Sequence, residues 1–129
     1  IAFLSASELV MENMESTVVA QNLKEWAKEN IQDAFFSGPL ALDLIISREA
    51  ALKKGLENDP VVGQSDGIVV PEIVSGNTLY KSLVYFAGGC AAGIVLGAKV
   101  PVLLTSRADP PEARLASIAL ASILSDEMP

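Results

Sequence analysis

The 129-residue chain contains no histidine and a single cysteine, Cys90. Without histidine it can hold no histidine-based nucleophile triad and no imidazole metal ligand. One cysteine excludes an internal disulfide and a Cys/His metal site, and points to a cytosolic setting. Basic residues are also scarce, nine Lys and Arg against sixteen Asp and Glu, for a formal charge of −7. Phosphate-backbone binding needs a basic face, so no nucleic-acid partner is expected. Long apolar runs are missing too: Lys, Asp or Glu interrupts every stretch before it reaches the roughly 18 residues a membrane span requires. A soluble chain with no membrane partner is expected. No basic segment precedes the opening IAFLS, and no initiator methionine, so no signal peptide is expected and the sequence reads as a fragment.

What is present is an apolar half, 50% of residues, enough for one core of ordinary domain size. Short apolar runs alternate with helical patterns. Ile1 to Ser5 is strand-like, and Ser16 is expected to cap a helix with Val19, Leu23 and Trp26 on its apolar face. Ala34 to Phe36 is the next strand candidate, and Ser47 opens a short helix ending at Gly55. Residues 57–66 form a loop, Gly67 to Val70 a strand stopped by Pro71, and residues 75–88 a helix with Leu79, Leu83 and Phe86 on one face. Ala91 to Leu96 and Val102 to Thr105 read as buried strands. A final helix from about Pro110 to Leu124 is apolar nearly all round and expected to be buried. Uniformly apolar strands separated by helices predict an α/β fold, three layers α/β/α around a largely parallel sheet. Cys90, Trp26 and the phenylalanines read as core.

In such folds ligands sit at the carboxyl ends of the strands. Three junctions there combine backbone-permissive residues with hydroxyls, amides or a cation: FFSGPLALD, VVPEIVSGN and LLTSRADPPE. Each leads into a helix whose free N–H groups favour an anion, and together they would make an oxyanion or phosphate pocket. Turn and cap chemistry competes with this reading at Gly38-Pro39 and at Ser75-Gly76-Asn77. Asp109 and Glu112 have capping-box spacing, with Pro110 at the first helical position. Arg107, beside a buried strand end, calls for either an internal carboxylate or a bound anion. The glycine spacing at Gly89, Gly93 and Gly97 is too loose for a dinucleotide loop, and no acidic cluster suits a divalent metal.

SGNTLYK followed by VPVLLTSRAD, with SGPLALD upstream, resembles the carboxyl-terminal part of the phosphate acyltransferases, most of all the phosphate butyryltransferases. The resemblance covers essentially the whole chain and implies that an amino-terminal lobe is absent. It implies a two-lobed fold similar to isocitrate and isopropylmalate dehydrogenases, with residues 1–89 part of one lobe and residues 90–129 returning to the other. The implied activity moves a short-chain acyl group, butyryl or branched, between coenzyme A and inorganic phosphate. Thiolate attacks the acyl phosphate directly, in a cleft between lobes. Coenzyme A is then a substrate and no cofactor is covalently bound; acyl-CoA, inorganic phosphate and acyl phosphate are the small-molecule partners, and the enzyme is a cytoplasmic homodimer.

The same resemblance assigns Ser106 and Arg107 to the catalytic site. The family's aspartate base falls at or next to Ala113, which leaves Glu112 as the nearest acid. Asn77, Gly76, Gly38 and Pro39 are expected to bind substrate. A non-catalytic lobe that binds coenzyme A or an anion remains the alternative.

Overall fold

The computed structural model describes residues 1–127. They form two compact units that divide between Asn77 and Thr78.

The first unit is built on a parallel three-stranded sheet. Its strands are β1 (Ala2–Leu4), β2 (Ser37–Leu40) and β3 (Ile68–Val69), in the order β2-β1-β3. Successive side chains of a strand face opposite sides of a sheet. Ala2 accordingly packs with Leu40, Leu44, Ile45, Ala51, Val61 and Val62, whereas Phe3 packs with Ala20, Ala27 and Phe36. Helix α1 (Glu15–Asn30) thus covers one face, and α2 (Leu42–Ile46) with α3 (Arg48–Lys53) covers the other. A central strand buried on both faces explains why IAFL shows no polar alternation.

The second strand lies three residues beyond the expected Ala34 to Phe36. Phe36 is buried against α1 and stacks on Phe3 with ring centroids 6.2 Å apart, while pairing begins at Ser37. Gly38 permits the approach, because a Cβ on it would lie 2.7 Å from the Phe3 Cβ. Pro39 is tolerated because β2 is an edge strand, where a missing N–H need not leave a gap in a ladder.

Ser16 does not cap α1. The helix begins at Glu15 after Met14 with no side-chain cap, and the Ser16 hydroxyl shares a hydrogen bond with that of Ser5 at 2.8 Å. The start is organised instead by buried Thr17, whose hydroxyl donates to the Met14 and Met11 carbonyls and accepts the Met11 N–H. The inward stripe of α1 is Thr17, Ala20 and Ala27, so Trp26, expected in the core, is 57% exposed. The small residues bring the helix onto the sheet, and the large ones are left outside. Ser47 does cap α3, accepting the Ala50 N–H at 3.2 Å. The loop at 57–66 is anchored by Asp59, which accepts the Ser37 hydroxyl at 2.6 Å and the Val61 and Val62 N–H groups at 2.8 and 3.3 Å.

The unit boundary lies within α4 (Ile73–Tyr85). The helix starts earlier than expected because Glu72, not Ser75, caps it: the Glu72 carboxylate accepts the Val74 and Ser75 N–H groups at 2.5 and 2.6 Å, and the Ser75 hydroxyl as well.

In the second unit β4 (Ile94–Val95) and β5 (Val102–Leu103) are two residues each, and they pair antiparallel rather than parallel. Only six residues connect them, with Gly97 at a φ of 89°. So short a connection makes a hairpin, since a parallel crossover needs a dozen or more residues. Helix α5 (Pro111–Glu127) packs on both strands. Ser117 fastens them: its hydroxyl accepts the Gly93 N–H at 3.0 Å and donates to the Ala113 carbonyl at 2.8 Å. The expectation of a buried last helix fails here. Ala113 and Ser117 are buried, but Leu115 is 68% exposed and Ile118 and Ile123 are also outside, because a two-stranded hairpin can cover only one face of a helix. Cys90 is exposed, as are Phe35 and Phe86, all expected in the core.

Candidate functional site

Because β1, β2 and β3 run parallel, their carboxyl ends meet at one edge of the first unit. A groove of about 530 Å³ opens there. Ser5 follows β1, Ala41 and Asp43 follow β2, and Pro71 and Ser75 follow β3; Ser16 from the first turn of α1 completes the wall. FFSGPLALD and VVPEIVSGN are therefore brought to one place, as expected for strand-end loops. The named glycines do not line it. Gly38 and Pro39 are buried in β2. Gly76 lies on α4 where a Cβ would come 2.9 Å from Val70 Cγ2, so its lack of a side chain lets the helix approach the end of β3. Asn77 is exposed on the same helix. The Glu72 carboxyl is held below the usual range, first by the Ser75 hydroxyl and then by the Ser75 and Val74 N–H groups.

LLTSRADPPE belongs to the second unit. Its centre is a turn closed from both sides: the Asp109 N–H donates to the Ser106 carbonyl at 3.1 Å, and the Ser106 N–H donates to Asp109 Oδ2 at 2.6 Å. The Ser106 hydroxyl accepts the Ala108 N–H at 3.4 Å. Arg107 is exposed at the tip. Of the three arginines in the chain, Arg48 donates to the Val62 and Glu57 carbonyls and Arg114 to that of Asp109. Arg107 has no hydrogen-bond or ion-pair partner among the described residues. Of the two readings open for this guanidinium, the internal carboxylate is therefore not found among them.

The capping-box expectation for Asp109 and Glu112 is not met. Asp109 turns back toward Ser106, Pro111 rather than Pro110 holds the first helical position, and Glu112 is exposed in the first turn of α5. Asp109 itself is 9% exposed. Its other oxygen, Oδ1, faces the Tyr80 hydroxyl at 3.5 Å, and the Tyr80 phenol is pushed up by burial and then by the Asp109 charge. Beside them lies a cavity of about 190 Å³ whose walls include Tyr80, Cys90, Asp109, Glu112 and Ala113. Tyr80 was not singled out by sequence reasoning. It lies in the motif SGNTLYK, and for Asp109 the Ser-x-x-Asp spacing fits a closed turn as well as a helix start. Among the described residues no group of His, Cys, Asp or Glu could hold a metal ion, and no helix is long and apolar enough to cross a membrane.

Comparison with known proteins aligns these elements with one family. The family described as phosphate acetyl/butaryl transferase matches residues 1–122. A probable phosphate butyryltransferase of Bacillus subtilis (strain 168) is 47% identical over 127 residues, which are 98% of this chain and 42% of that protein. A phosphate acetyltransferase of Thermotoga maritima is 42% identical, over 95% of this chain and 42% of its own length. The crystal structure of a branched-chain phosphotransacylase from Enterococcus faecalis V583 superimposes with a TM-score of 0.82 at 43% identity, covering 94% of this chain and 43% of that one. The chain thus spans less than half the length of these relatives.

Proposed function

The chain belongs to the phosphate acetyl/butaryl transferase family, and from that premise we propose that it is part of an enzyme moving a short-chain acyl group, butyryl or branched, between coenzyme A and inorganic phosphate. One observation carries the proposal to particular residues. Arg107, which has no hydrogen-bond or ion-pair partner among the described residues, stands on a doubly closed turn beside the Ser106 hydroxyl, and the resemblance marks this pair as catalytic.

In the direction of acyl-CoA synthesis, the coenzyme A thiolate attacks the carbonyl carbon of the acyl phosphate. The sulfur–carbon bond forms, the carbon–oxygen bond to phosphate breaks, and phosphate leaves with the electron pair. Negative charge grows on the carbonyl oxygen and on the leaving group, so a fixed cation and a hydroxyl donor lower the barrier where they meet that charge. Arg107 holds the phosphate or the developing charge, and Ser106 donates to it. Glu112 takes the thiol proton. No covalent acyl-enzyme is required, because a thiolate is already a strong nucleophile.

In this reading Asn77, exposed on α4, belongs to substrate binding directly, whereas Gly76 and Gly38, the latter followed by Pro39, serve it by letting the strand-end segments pack closely. The full protein is a cytoplasmic homodimer whose subunits each have two isocitrate-dehydrogenase-like lobes, with the reaction in the cleft between the lobes.

The test is a thiol-release assay on the full-length protein with acetyl-, butyryl- and branched-chain acyl-CoA, each with and without phosphate. Phosphate-dependent release of coenzyme A is expected, strongest with the butyryl or branched substrate. If no acyl-CoA gives phosphate-dependent release, the transferase reading fails.

A further inference from the structure

We infer that Asp109 is a positioning residue for the acyl transfer, holding the Ser106-Arg107 pair in its reactive arrangement from the buried side of the turn, with Tyr80 as its second partner. This rests on the transferase reading above and adds two residues to it.

Three observations carry the inference. A lone helix-start aspartate would sit in water and accept the N–H of a residue two or three positions further on. Asp109 is buried instead, and one of its oxygens accepts an N–H three positions back, that of Ser106. Its own N–H returns to the Ser106 carbonyl, so both backbone groups of the catalytic serine are held by one residue. The other oxygen faces Tyr80 on α4 in the same unit, which links the turn to a second element rather than to α5 alone.

A carboxylate that accepts a backbone N–H makes a charge-assisted bond, shorter and stronger than a neutral one. Burial keeps water from competing for it. Arg107 lies between the two clamped residues, so the start of its side chain is located although the guanidinium has no hydrogen-bond or ion-pair partner among the described residues. A serine hydroxyl and a guanidinium stabilise a transition state only when they are held where the charge develops. Asp109 thus acts through its neighbours and touches no reacting atom.

The full-length enzyme tests this with Asp109→Ala, Asp109→Asn and Tyr80→Phe, each made also in an Arg107→Ala background, with kcat and the KM for acyl-CoA and phosphate measured together with thermal unfolding. Asp109→Ala is expected to lower kcat about 100-fold, the scale of a misplacement near 1 Å, with the KM for acyl-CoA little changed. Asp109→Asn retains one acceptor and recovers about a tenth of the wild-type kcat. In the Arg107→Ala background the Asp109 substitutions add less than about a twofold loss, since residues acting as a unit are not additive.

A kcat for Asp109→Asn equal to wild type overturns the inference, whether or not Asp109→Ala folds. So do losses that multiply fully on top of Arg107→Ala, because Asp109 would then not act through the guanidinium that it is inferred to position. Wild-type enzyme without phosphate-dependent coenzyme A release overturns the transferase reading and this inference together. An active wild type, a crippled Arg107→Ala and an unaffected Asp109→Asn overturn the inference alone.

Discussion

Gly38 lies against Phe3 so closely that a Cβ added to it would stand 2.7 Å from the Phe3 Cβ and 3.0 Å from the Phe3 carbonyl oxygen. Phe3 is on the central strand, flanked by β2 and β3, so it cannot retreat without moving the sheet.

Gly38→Ala should therefore destabilise the full-length protein by about 1–3 kcal/mol, the range for overpacking a well-filled core. Denaturant unfolding measures it. A neutral result would mean that β2 can shift along its edge without loss.

Arg107→Ala should lower kcat about 100- to 1000-fold, as removal of a preorganised charge donor does, with the unfolding midpoint unchanged because the guanidinium has no partner in the described structure. Arg107→Lys should restore only part of this, since an ammonium lacks the planar fork that matches phosphate. Near-normal turnover in Arg107→Ala removes the residue from the mechanism.

Glu112→Gln separates a base from a helix-start acid. Loss of a general base lowers kcat about 100-fold or more and removes one limb of the pH–rate profile. If instead turnover and its pH dependence are unchanged and only stability drops slightly, Glu112 serves the α5 dipole.

Glu72 offers a pH test in the first unit. Its folded carboxyl is held below the usual glutamate range by Ser75 and Val74. A depressed folded pKa contributes stability that is present above the unfolded value and lost as pH falls through the folded one. Wild type and Glu72→Gln should therefore differ most at neutral pH and converge in acid. A carboxyl titration followed by NMR should place the Glu72 midpoint below that of an exposed glutamate, and an ordinary midpoint contradicts the cap.

Much of the first unit is legible along the chain. The apolar run IAFL, with no polar alternation, announces a strand covered on both faces, and Ser47 before Arg48-Glu49-Ala50 announces a cap that forms. Ser16 was legible only as a cap, although its hydroxyl bonds that of Ser5 and the Thr17 network organises the helix start. A hydroxyl near a helix start has several possible partners, and those distant in sequence leave no local trace. The same holds for the Asp109 contact with Tyr80, 29 residues away, while the local spacing of Asp109 to Glu112 suggested a box.

Burial was the least legible property. Trp26 and Phe86 are the large apolar residues a sequence argument assigns to a core, yet α1 presents Ala20 and Ala27 to the sheet and Phe86 stands 89% exposed. Periodicity gives the stripe along a helix, but the spacing between helix and sheet selects which stripe turns inward.

By itself the sequence determined the chemistry at hand: no imidazole, one thiol, a guanidinium next to a serine, and motifs long enough to name a family. Those follow from residue identity and order alone. Only the tertiary structure decided which three strands form the parallel sheet with their carboxyl ends on one groove, that β4 and β5 fold back as a hairpin, and that Arg107 has no partner among the described residues while Asp109 is buried beneath its turn. The parallel pairing of the first sheet and the burial of Asp109 against Tyr80 depend on contacts between residues far apart in the chain, whose energies are set by packing and solvent exclusion and by no local preference.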